Sequence, residues 1–175
     1  RPYSLRPLIS VAVTASGHLL ASFSDPVTGL VSSIERIDVE SGARTVLRSG
    51  VACDVAPGKL LAASDSVVLM GGGVVSSEIW RIDLASGDAR RVAGGGETPL
   101  SREPVAALDA SISLLSDFVI APDGSILVST GSLYGVPAYV ARLDLEEATI
   151  AVLAGGGTRA VGREPVPAKR ADLTA

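Results

Sequence analysis

Short apolar runs, broken at intervals by turn residues, set the rhythm of this chain. In DFVIAPDGSILVST (117–130) one apolar run meets Pro122-Asp123-Gly124 and a second starts at Ile126. Proline presets one turn angle and glycine tolerates positive φ, so the segment predicts a tight hairpin. SVAVTASGHLLASFS (10–24) has the same form around Ser16-Gly17, and KLLAASDSVVLMG (59–71) around Asp65-Ser66. These runs predict strands A and B of three units. Strand C follows as SIERIDV (33–39), EIWRIDL (78–84) and YVARLDL (139–145), where apolar and polar residues alternate as on a strand with one covered face. A short turn then leads to strand D: ARTVL, ARRVA and TIAVL. Ser41-Gly42 and Ser86-Gly87 supply that turn in two copies, and Glu146-Glu147 occupies it in the third. No segment sustains a 3.6-residue period, so few helices are expected.

The units echo one another. WRIDLASGDARRVAGGG (80–96) returns as ARLDLEEATIAVLAGGG (141–157), and ERIDVESGARTVL (35–47) is a third copy without the glycine tail. Beyond two of them, SREPVAALDASIS (101–113) matches GREPVPAKRADLT (162–174) at the same 61-residue offset. Such a period marks a repeat architecture. Four short antiparallel strands per unit describe a β-propeller blade. The expected fold is therefore all-β: one propeller segment with blades at about 8–49, 58–96 and 115–157, and a connector to a next blade at 158–175.

Both chain ends fall in the same phase of the repeat, just before a strand A. Rings use about four to eight blades, so three are expected to belong to a larger ring, six-bladed by type. Further blades of a longer propeller would close it, or a second copy about a two-fold axis. The chain has no initiating Met and no leader-like start, so it is not expected to be a complete precursor.

Composition narrows the function classes. A hydrophobic content of 47% and a mean hydropathy of +0.41 argue against disorder, and no apolar run is long enough for a membrane span. The net charge of −4 gives no electrostatic case for nucleic acid. Cys53 is the only cysteine and His18 the only histidine, too few for a zinc site. No Asp-x-Asp-x-Asp-Gly run suggests calcium, and the glycine triplets at 71–73, 94–96 and 155–157 lack the Lys-Ser/Thr of a phosphate loop. No catalytic residue, metal or cofactor is therefore assigned. His18 lies at a tight A–B turn, and nothing in the sequence pairs it with a nucleophile.

The run from GGG through REPVAALDASISLLSDFVIAPDGSILVST resembles the NHL-type propeller repeat. There a Gly-rich strand end leads through a short linker to a "VAVDPDGNLYVAD" hairpin. The likeness covers most of the chain in three imperfect copies; the family's Asn is Ser125 in one hairpin and His18 in another. It implies a propeller and, for location, an extracytoplasmic or secreted protein.

Strands alternate in direction, so the tight A–B and C–D turns share one end of each blade, and the longer B–C and D–A connections share the other. Elaborated loops on a rigid scaffold are where binding sites develop. The expectation is a non-enzymatic module recognising a protein, peptide or glycan at the B–C/D–A end, with Tyr134, Tyr139, Arg102, Arg159 and Arg163 as its candidate residues. Each has a plainer role beside this one. Both tyrosines could simply pack, and Arg102 and Arg163, which recur in the repeat, could brace neighbouring blades. The alternative function is part of a propeller enzyme, of lyase or lactonase type, whose catalytic residues lie outside this chain.

Overall fold

Turn chemistry places the strands. A computed structural model describes residues 7–28, 31–49, 58–71, 77–131, 137–160 and 165–173, with the side chains of 159–160 left aside. Strands β1 (Leu8–Val13), β2 (Leu19–Ser24), β3 (Val31–Ile37) and β4 (Arg44–Ser49) form one antiparallel sheet in that order. β5 (Lys59–Ala62), β6 (Val67–Gly71), β7 (Glu78–Asp83) and β8 (Ala89–Gly94) form a second. The third runs through β12 (Leu115–Ile120), β13 (Ile126–Thr130), β14 (Tyr139–Asp144) and β15 (Thr149–Gly155), with β10 (Val105–Ala106) added outside β15. These are the A–B–C–D meanders expected from the sequence. Among the described residues the only helix is a 3₁₀ turn, Ala168–Arg170.

The aspartate that ends strand C explains why each copy turns where it does. Asp38, Asp83 and Asp144 each accept two backbone N–H bonds on Oδ1, from the residues two and three positions on, at 2.7–3.1 Å. An aspartate side chain used this way replaces missing backbone partners and fixes the turn. The left-handed residue that completes it is Gly42 or Gly87 in two copies, but Ala148 (φ 51°) in the third.

The chain divides into two compact units, residues 1–90 and 91–175. In the first, the inner strands β1 and β5 meet directly, and the Leu60 N–H donates to Ser10 Oγ at 3.0 Å. Leu20 and Ile34 of the first sheet pack against Leu60, Val68, Met70 and Ile82 of the second. Burying one such side chain contributes about 1.5–3 kcal/mol, so this seam is a large part of the unit's stability. Glu35, buried to 1% exposure, is held by Ser33 Oγ and by the Arg44 guanidinium at 2.7 Å, which also lies over the Phe23 ring.

In the second unit the two connectors fold alike. β9 (Thr98–Pro99) pairs in parallel with β11 (Ala110–Ser111), and β16 (Arg159–Ala160) pairs in parallel with β17 (Ala171–Asp172), again 61 residues on. The glycine triplets make this possible. Gly94, Gly95, Gly155 and Gly156 have positive φ, while a Cβ on Gly96 or Gly157 would run into the backbone of Asp109 or Arg170. Glycine alone meets both demands. The first REPV, at 102–105, is likewise an edge device rather than a free loop. β10 caps β15 through Val105↔Ile150, and the Val152 N–H donates to the Ser101 carbonyl, covering a strand edge that would otherwise stay unpaired.

Candidate functional site

At the B–C/D–A end of the third sheet, Tyr139 opens β14 and its N–H donates to the buried Thr130 Oγ1 at 3.0 Å. Its ring lies against Gly156, where any side chain would displace it. The second connector returns to the same place: the Gly157 N–H donates to the Ala171 carbonyl, and the 3₁₀ turn packs on β15. That return sets exposed Lys169, Arg170 and Leu173 on a frame fixed by backbone hydrogen bonds.

Arg102 reaches the same connector by its guanidinium, which donates to the Lys169 carbonyl. It therefore ties one connector to the next, the bracing role open to it from the sequence. Arg159 has its backbone in β16, while Tyr134 and Arg163 lie outside the described residues. Of the five candidates, Tyr139 and Arg102 are thus brought to one connector.

Another convergence had no sequence motif to announce it. In the first unit, the A–B turns of the first two sheets touch through side chains. Ser16 Oγ donates to Asp65 Oδ1 at 2.6 Å, lies 2.8 Å from His18 Nδ1 and 3.0 Å from Thr14 Oγ1. His18, Arg36 and Asp65 wall a cavity of about 240 Å³ floored by Leu20, Leu47 and Leu84. Serine, histidine and carboxylate meet here, but not as a nucleophilic triad. The single Ser16 proton goes to Asp65, so His18 Nδ1 must donate to Ser16 rather than accept from it, the reverse of what activation requires. The Ser16 hydroxyl, aided by Thr14, holds the Asp65 carboxyl below its ordinary range, which makes it a stable anion and a weak base. The signal missed in the sequence was the 49-residue register that sets Asp65 opposite Ser16.

The remaining perturbed carboxylates serve turns. Backbone N–H groups, led by those of Ser41 for Asp38, Ser86 for Asp83 and Thr28 for Asp25, lower their pKa values, and the Ser125 hydroxyl does so for Asp123. Ser125 stands at the Asn position of the NHL-type hairpin and donates both its hydroxyl and its N–H to Asp123. Among the described residues no three His, Cys, Asp or Glu side chains gather as metal ligands, and no helix is long and apolar enough to cross a membrane.

No family model matches the chain, and no curated protein matches it in sequence. Among solved structures it is similar to a structural-genomics protein of unknown function from Bacteroides thetaiotaomicron. The TM-score is 0.67 at 16% identity, over 95% of this chain and 40% of that one. The likeness is one of fold. Together with the four-stranded antiparallel sheets, it makes this a propeller-like, all-β chain. An oligogalacturonate lyase in complex with manganese also aligns, with a TM-score of 0.49 at 15% identity over 85% of this chain and 41% of that one. The chain spans about two fifths of the length of either structure.

Proposed function

We propose that this chain is a non-enzymatic binding module of NHL-type propeller architecture, recognising a protein, peptide or glycan through the B–C/D–A end of its sheets. The observation that carries the reading is the frame around Tyr139. An aromatic ring against Gly156 sits at the sheet end where the connector bearing Lys169, Arg170 and Leu173 is hydrogen-bonded back to Gly157 and packs on β15. An aromatic surface beside exposed cations on a rigid frame suits peptide and saccharide partners, because little ordering entropy is lost on contact. Arg102 supports the frame from behind, and Tyr134, Arg159 and Arg163 fall within the connections at issue. Further blades, in a longer chain or a second copy, complete the ring in this reading.

Peptide and glycan arrays probed with the full chain test it. A partner found this way should bind at least tenfold more weakly to Tyr139→Ala and to Lys169→Glu. A partner held equally well by both variants would remove this end from consideration.

A further inference from the structure

The cleft between the A–B turns of the first unit plays no part in the reading above and stands on its own geometry. We propose that it binds a small zwitterion of the α-amino-acid type, with the ammonium beside Asp65, the carboxylate on Arg36 and an aliphatic side chain over the leucine floor.

Several features converge on that class. A fixed anion and a guanidinium wall the same cavity, so one ligand carrying both charges answers both walls. Ser16 fixes the anion, donating its hydroxyl and, at 3.4 Å, its N–H to Asp65 Oδ1. The carboxylate is thereby positioned before any ligand arrives, which lowers the ordering cost of binding. Nδ1 of His18 lies 2.8 Å from Ser16 Oγ, and in the neutral tautomer that donates there Nε2 is the acceptor, a second partner suited to an ammonium donor. The floor supplies the apolar share: Leu20 and Leu84 are buried, and Leu47 is partly so. The volume, about 240 Å³, is enough for a single amino acid. His18 and Arg36, with Asp38, also line a neighbouring depression, so both residues border two adjoining hollows.

His18 is the only histidine of the chain, so its two carbon-bound ring protons report on this cleft alone. Proton NMR of the full chain titrated with L-leucine should show a saturable shift of both. N-acetyl-leucine, which lacks the ammonium, and leucinamide, which lacks the carboxylate, should each need at least tenfold more ligand for the same shift. Arg36→Gln and Asp65→Asn should each weaken the leucine response by at least tenfold, and Lys169→Ala should leave it unchanged. Should Asp65→Asn disturb the turn, the two analogues still decide the matter on the unaltered chain. Absence of a saturable shift, or equal responses to leucine and both analogues, would overturn the proposal.

Discussion

Ala148 is a residue out of step with its counterparts. Gly42 and Gly87 close the first two C–D turns with positive φ, and Ala148 holds the same conformation at φ 51° with a Cβ attached. The left-handed region costs an L-residue about 1–2 kcal/mol, while glycine costs about 0.5–1 kcal/mol in unfolded-state freedom. Ala148→Gly should therefore stabilise the protein by roughly 0.5–1 kcal/mol, seen as a higher urea midpoint with an unchanged slope. Its carbonyl, which accepts from the Ala107 N–H, survives the change. Gly87→Ala should run the other way by about the same 0.5–1 kcal/mol, since the Arg48 guanidinium that the new Cβ would meet ends a flexible side chain and can move aside. A lower midpoint for Ala148→Gly would show that the third turn relies on the alanine. This site also illustrates what a sequence conceals. Glu146-Glu147 marks the third turn as a turn, but the strained residue lies one place further on and looks ordinary in the chain.

At the scale of elements, the meanders were legible because period-two alternation and Gly-containing turns are local signals. Every strand A to D lies within a few residues of its expected position. The connectors were less legible. REPVAALD reads as a polar loop, yet its backbone pairs with β15, and which edge a two-residue strand will cap depends on contacts distant in sequence. The cleft was hidden for the same reason, since Ser16 and Asp65 are 49 residues apart and belong to different turns. The glycine triplets at 94–96 and 155–157 lead into the parallel ladders of the two connectors. Gly96→Ala should destabilise the second unit by about 2–3 kcal/mol or more, because the Cβ faces the Asp109 carbonyl and no flexible side chain can yield. Gly17→Ala has open space around it and should cost only its net positive-φ penalty, about 0.5–1 kcal/mol. Comparing the two by thermal unfolding separates backbone collision from backbone conformation; equal losses would refute the close approach at Gly96.

For the whole molecule, the informative surface is the side of the first sheet turned away from the second. The two A–B hairpins are related by 49 residues, which sets Val11 against Leu60 and Val13 against Ala62. Leu60 and Ala62 are packed into the seam with the first sheet, whereas Val11 and Val13 are 52% and 65% exposed. Leu8 and Val46, at 57% and 53%, extend the same apolar surface. A position that is covered in one repeat and bare in the next fits a further sheet of the same kind, since equivalent faces have equivalent partners. At high concentration the chain should therefore self-associate through this surface, with an apparent mass above that of the monomer by light scattering. Val11→Glu combined with Val46→Lys should return it to the monomer without lowering its unfolding temperature, because exposed valines contribute little to the fold. If instead the wild-type chain stays monomeric up to millimolar concentration, the surface is stable as it stands, and the equivalence between Val11 and Leu60 is one of sequence register without a matching role in assembly.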